Sequence, residues 1–135
     1  MLELYFMQCS ILVTCRDVAN IAATIGNMGR QPFTGEQVFE VGSVRDMLSI
    51  MFTCGMYDYS GQWAFRVGLP AKSGVSGGVM AVVNRQLGMA TYSPLLDPRG
   101  NSGRGIEVCV ELAARLGLHA FDCLNFGSSF LTTVL

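Results

Sequence analysis

Lysine is almost missing from this chain of 135 residues: of nine Lys and Arg, only Lys72 is a lysine. Charge of either sign is scarce, at 14% of residues and a net −1, and arginines cluster no more densely than Arg99 and Arg104. That excludes the basic stripe that tracks a phosphate backbone, so nucleic acid is not an expected partner. Five cysteines, at 9, 15, 54, 109 and 123, form an odd number without a CxxC spacing. This argues against a disulfide framework and a zinc site, and the cysteines read mostly as small buried hydrophobes. Glu36, Glu40, Asp46, Asp58, Glu107 and Glu111 show no paired acid-base or metal-ligand spacing and read as solvated faces. Long apolar runs are missing too: the longest, around residues 47–57 and 77–83, fall short of the roughly 18 residues that cross a bilayer. No membrane span is predicted. Met1-Leu2-Glu3-Leu4-Tyr5-Phe6 has neither a basic n-region nor a small-residue cleavage site, so no signal peptide is read and the expected location is cytoplasmic.

What is present is apolar. Half the residues are hydrophobic and the mean hydropathy is +0.40, which is greasy for a soluble domain. The length suits one domain, which buries about two-thirds of its unfolded surface. Part of the apolar surface is expected to be covered by something else.

Apolar positions Cys15, Val18, Ala19, Ala22, Ala23 and Ile25 recur at helical spacing, with Thr14 and Asp17 placed as a capping pair. This predicts an amphipathic helix over residues 14–28, ended by Gly29. Gln31-Pro32-Phe33-Thr34-Gly35 is a turn by composition. Ser43-Val44-Arg45-Asp46 repeats the capping pattern before a second helix that ends near Gly55. Residues 62–67 alternate as a strand, and two further strands at 78–84 and 87–92, joined through Asn84-Arg85-Gln86, make an antiparallel hairpin. A Pro- and Gly-rich loop over residues 93–105 leads to a helix at 106–116, with Gly117 as its C-cap. The fold class is α+β, an antiparallel sheet with flanking helices.

The lone lysine stands in Ala71-Lys72-Ser73-Gly74-Val75-Ser76-Gly77-Gly78, just ahead of the run Val79-Met80-Ala81-Val82-Val83. A Lys-Thr/Ser-Gly triplet at a strand edge lines the acyl-transfer site of penicillin-binding and β-lactamase-type serine hydrolases. By itself the triplet is weak, since chance places Lys-Ser-Gly in roughly one chain of this length in twenty-five. Tyr57, in Cys54-Gly55-Met56-Tyr57-Asp58-Tyr59, could face Lys72, whose charge would lower the phenol pKa and let it exchange a proton. Read alone, it is more simply a packed aromatic. Val75 would offer its backbone N–H to an oxyanion, or be an ordinary strand residue. His119, the only histidine, could pair with Cys109 or Cys123, but a histidine near a helix C-terminus is more often capping or structural.

Longer stretches carry more. Leu4-Tyr5-Phe6-Met7-Gln8-Cys9-Ser10-Ile11-Leu12-Val13-Thr14, Thr34-Gly35-Glu36, residues 48–58, Gly68-Leu69-Pro70-Ala71-Lys72-Ser73-Gly74-Val75-Ser76-Gly77-Gly78, Ser93-Pro94-Leu95-Leu96-Asp97 and Gly100-Asn101-Ser102 resemble the serine-dependent glutaminases. The resemblance runs from Leu4 to Leu124. It implies a β-lactamase-like fold and hydrolysis of L-glutamine to L-glutamate and ammonia through an acyl-enzyme, without metal or organic cofactor. It further implies that Tyr5 and Tyr57 contact glutamine, that Tyr57 takes part in proton transfer, that Val75 supplies an amide to substrate and oxyanion, and that Lys72 is the active-site lysine of the strand motif.

One departure is large. The nucleophile in such enzymes is the serine of a Ser-x-x-Lys motif, and none occurs here, because position 69, three before Lys72, is leucine. The resemblance therefore implies a partial fold: residues 1–124 as the C-terminal portion of a glutaminase catalytic domain whose N-terminal half is absent, and 125–135 as a tail. The expected partners are L-glutamine and either the missing N-terminal half or a second copy in a homo-oligomer, which would account for the apolar excess. The alternative is a non-catalytic module for interaction or oligomerisation.

Overall fold

In the computed structural model, which describes residues 1–122, the chain opens with a short helix, α1 (Leu2–Cys9), none of whose residues is buried. Leu4, Phe6 and Met7 on it are each about 60% exposed. The second helix, α2 (Cys15–Gly26), begins as its sequence predicts. Thr14 Oγ1 accepts from the Asp17 N–H at 3.2 Å, and the Thr14 N–H donates to Asp17 Oδ2 at 2.8 Å. Two of the amides that a helix start leaves unpartnered are thereby satisfied. Replacing Thr14 with Ala is expected to lower stability by about 1 kcal/mol. In urea unfolding this should appear as a shifted midpoint with an unchanged slope.

Helix α3 (Val41–Cys54) starts ahead of the Ser43-Asp46 capping pattern, which lies inside it. The Val44 N–H already donates to the Glu40 carbonyl at 3.0 Å. Val44 and Met51 pack with Ala22, Ile25 and Val82, so packing sets the helix start, and local capping does not.

Residues 62–67 do not form the expected strand. They belong to helix α4 (Ser60–Arg66), which follows a single 3-10 turn over Tyr57–Tyr59. The side chains buried here are Tyr59, Ser60, Trp63 and Val67, at helical spacing, while Phe65 is 86% exposed. Trp63 is fully buried and donates its Nε1–H to the Leu69 carbonyl at 2.7 Å.

The sheet has three antiparallel strands, β1 (Ala71–Ser73), β2 (Gly78–Val83) and β3 (Leu87–Tyr92), in that spatial order. Lys72 lies opposite Met80, and Ser73 opposite Val79, which in turn lies opposite Thr91. The β2–β3 hairpin is the predicted one, with Arg85 at φ 63° in its turn. Helix α5 (Gly103–Leu116) is capped by Ser102 and closed by Gly117 at φ 61°, a left-handed position that glycine takes without penalty.

Alternation along β2 divides the core. Val79, Ala81 and Val83 pack with Met56, Trp63, Ile106, Cys109 and Ala113 on the α4 and α5 side. Val82, with Met80 beside it, packs against α2 and α3 on the other. Successive strand side chains point to opposite faces, so a strand covered on both faces must be apolar throughout, as β2 is. Among the described residues no helix is long and apolar enough to cross a membrane. The expected tail at 125–135 lies outside the described residues.

Candidate active site

The C-terminus of α3 touches β1 through a glycine. The Ser73 N–H donates to the Gly55 carbonyl at 2.9 Å, and a Cβ on Gly55 would overlap the Ala71 carbonyl oxygen. That close approach brings Tyr57, two residues further on, to Ser73. The Tyr57 hydroxyl donates to the Ser73 carbonyl at 3.3 Å. Lys72 Nζ donates to the same oxygen and lies 4.7 Å from the centroid of the Tyr57 ring. The ammonium thus sits over the face of the phenol, a cation–π contact worth about 0.5–1 kcal/mol at an exposed site. Tyr57 is 41% exposed, so solvent reaches it.

Tyr57 reaches this position on an unusual backbone. Its φ is 53°, in the left-handed region that a bulky residue enters at a cost of about 1–3 kcal/mol.

Val75 lies in the turn between β1 and β2, not in a strand. Within that turn the Gly74 N–H donates to the Gly78 carbonyl and the Gly77 N–H to the Gly74 carbonyl, both at 2.9 Å. Among the described residues the Val75 N–H makes no backbone hydrogen bond, the condition an oxyanion donor has to meet. Gly77 holds φ 99°, and a Cβ there would run into the backbone of Ser93 and Pro94. The turn is therefore pinned to the segment that follows β3.

Tyr5 stands on α1, 60% exposed. A hydrogen bond to the Cys9 side chain holds its phenol above the ordinary 10.0, and Tyr57 lies near enough to add a smaller push in the same direction. A groove of about 520 Å³ is lined by Cys9, Val13, Cys15, Ser76, Ala90 and Tyr92 among others, and by none of Tyr5, Tyr57, Lys72 and Val75. That volume is within the range of small-molecule sites.

His119 belongs elsewhere. Its ring packs against Gly68, its Nε2 is 3.3 Å from the Phe65 carbonyl, and its Nδ1 accepts from the Phe121 N–H at 3.2 Å. Burial pushes the Cys109 thiol up to about 11, so it holds no thiolate near neutral pH, and a nucleophilic dyad on Cys109 has no support. Cys123 lies outside the described residues.

The model of the glutaminase family matches residues 1–121. This chain belongs to the glutaminase family. It is 54% identical over 127 residues to a glutaminase of Nostoc sp., covering 94% of this chain and 38% of that protein. It is 51% identical over 124 residues to the mitochondrial liver-isoform glutaminase of Rattus norvegicus, covering 92% and 21%. Among solved structures, that of Mglu in its tris and glutamate form superposes with a TM-score of 0.85 at 41% identity, covering 91% of this chain and 27% of that one. The chain thus spans 38% of the length of the Nostoc glutaminase and 21% of that of the rat one.

Two polar residues beside Tyr57 were given no role by the sequence. Ser60 Oγ accepts from the Met56 N–H at 3.1 Å and donates to the Tyr57 carbonyl at 2.8 Å. Asn101 is fully buried and donates its Nδ2–H to the Met56 carbonyl at 3.3 Å. Asn101 falls within a glutaminase-like stretch, but nothing local to it points to a residue 45 positions away. Ser60 opens α4, and its role emerges only with the φ of Tyr57.

Proposed function

We propose that this chain forms the substrate side of a glutaminase active site. In this reading Tyr5 and Tyr57 contact L-glutamine, Tyr57 also moves a proton, the Val75 amide donates to the oxyanion, and Lys72 holds positive potential beside Tyr57. The observation that carries it is the convergence of Tyr57 and Lys72 on one carbonyl, that of Ser73, at the end of β1 nearest the Val75 turn. The family membership supplies the substrate class.

The chemistry follows from the bonds exchanged. A serine oxygen attacks the side-chain amide carbon of glutamine, charge gathers on the carbonyl oxygen, and preorganised N–H donors stabilise it, each worth about 3 kcal/mol. The C–N bond then breaks, ammonia leaves with the proton delivered to nitrogen, and water hydrolyses the ester to glutamate. Tyr57 is the group proposed to deliver or receive that proton.

The serine has to come from a Ser-x-x-Lys segment, which the sequence lacks. Residues 1–124 then act as the C-terminal portion of a catalytic domain. By itself the chain is expected to release no ammonia from glutamine. Co-expression with the Ser-x-x-Lys-bearing half of a glutaminase is expected to give ammonia. Release by the chain alone that survives both Tyr57→Phe and Lys72→Ala would overturn this reading.

The exposed apolar side chains of α1 favour a second reading, a docking or oligomerisation module without chemistry. A monodisperse monomer that melts cooperatively at micromolar concentration would count against it.

A further inference from the structure

We infer that Ser60 and Asn101 are positioning residues that hold Tyr57 in its left-handed backbone and so keep its ring under Lys72. The inference rests on the proposed role of Tyr57 and adds to it the groups that aim the side chain.

Three consecutive peptide groups around Tyr57 are held. The Met56 N–H, in the first, donates to Ser60 Oγ. The Met56 carbonyl, in the second, accepts from Asn101 Nδ2 and from the Tyr59 N–H at 3.1 Å. The Tyr57 carbonyl, in the third, accepts from Ser60 Oγ. The φ and ψ of a residue are the rotations relating the peptide before it to the peptide after it. With Asn101 holding the one and Ser60 the other, both rotations of Tyr57 are set, and with them the direction of its Cα–Cβ bond.

The holders are themselves fixed. Ser60 is 8% exposed and Asn101 fully buried. The Asn101 N–H donates to Asp97 Oδ1 at 2.9 Å, and the Asp97 N–H donates to the Asn101 carbonyl at 2.7 Å. These bonds brace the loop before α5, and the Asn101 bond to the Met56 carbonyl ties that loop to the turn after α3. A left-handed tyrosine persists only where its surroundings over-determine it, and a buried hydroxyl and a buried amide do so here.

The composition supplies the test. Because Lys72 is the only lysine and Trp63 the only tryptophan, lysine labelled with carbon-13 at Cε gives one side-chain NMR signal, and indole emission reports folding. The Tyr57 ring current displaces that signal, and Tyr57→Leu defines its position without the ring. In the full chain, Ser60→Ala and Asn101→Leu are expected to keep a buried-tryptophan emission while the Lys72 signal moves most of the way to its Tyr57→Leu position. Ser60→Thr, which retains the hydroxyl, should leave the signal near its native place. Folded Ser60→Ala and Asn101→Leu proteins with an unmoved Lys72 signal would overturn the inference.

Should both variants unfold, the φ-dependent amide coupling of Tyr57 in the unaltered chain decides. A left-handed value supports the inference and an ordinary helical value overturns it. No glutamine enters these measurements, so failure here leaves the catalytic reading standing, and a failed ammonia assay leaves the positioning geometry standing.

Discussion

Tyr57→Phe, in the chain reconstituted with a Ser-x-x-Lys half, is expected to lower kcat on glutamine by about 10²- to 10⁴-fold, the range for loss of a positioned proton-transfer group. KM is expected to stay near its starting value. The substitution removes one oxygen and leaves the ring, so the contact with Lys72 at 4.7 Å and the backbone held by Ser60 and Asn101 persist. A loss confined to kcat therefore reports the hydroxyl's chemistry. A rise in KM with kcat retained would instead make Tyr57 a substrate contact only. Lys72→Ala is expected to lower kcat as well, and Lys72→Arg should not restore it. A planar guanidinium cannot place a compact charge both over the ring and on the Ser73 carbonyl as the ammonium does.

Gly55→Ala is expected to destabilise the fold by about 3 kcal/mol, the upper end of overpacking costs, which is a large part of the 5–15 kcal/mol that typically holds a domain. The melting temperature should fall by on the order of 10 °C. The effect is purely steric. Gly55 has φ −71°, which any residue adopts, but its Cβ would lie inside the contact distance of the Ala71 carbonyl. Relief requires β1 to move away from α3, and that loosens the Ser73–Gly55 hydrogen bond on which the Tyr57 site is built. Gly42, in the first turn of α3, is the internal comparison. A Cβ there meets nothing within 4 Å, so Gly42→Ala should be neutral or stabilise by about 0.5 kcal/mol. The thermal melt of Gly55→Ala should fall while that of Gly42→Ala stays in place or rises.

The parts of the fold legible in the sequence were those specified by neighbours in the chain. The Thr14–Asp17 capping pair, the β2–β3 hairpin and the Gly117 stop each depend on residues within a few positions, and each stands as expected. Residues 62–67 misled because Trp63, Phe65 and Val67 alternate with the smaller or polar Gln62, Ala64 and Arg66 and imitate a strand. The side chains that are actually buried recur at Ser60, Trp63 and Val67, with Phe65 turned outward. Helix α1 gave no periodic signal because no residue on it is buried, and β1 is only three residues long. The meeting of Tyr57 and Lys72 could not be read from spacing at all. It depends on the α3–β1 contact through Gly55; the local residues allow Tyr57 to face Lys72 but favour a packed aromatic, and the family-like stretches are what tip the balance. The left-handed backbone at Tyr57 was equally hidden, since nothing in Met56-Tyr57-Asp58 announces it and one of its supports comes from Asn101.

Tyr5 rides on a helix of eight residues with none buried, and helices shorter than about 12–15 residues are marginal in water by themselves. Conformational entropy therefore opposes holding the Tyr5 phenol still, and a ligand that needs it must pay to order the whole of α1. A surface that covers Leu4, Phe6 and Met7 would meet that cost in advance. It would raise affinity for such a ligand by preorganisation, without contributing one atom to the contact with it.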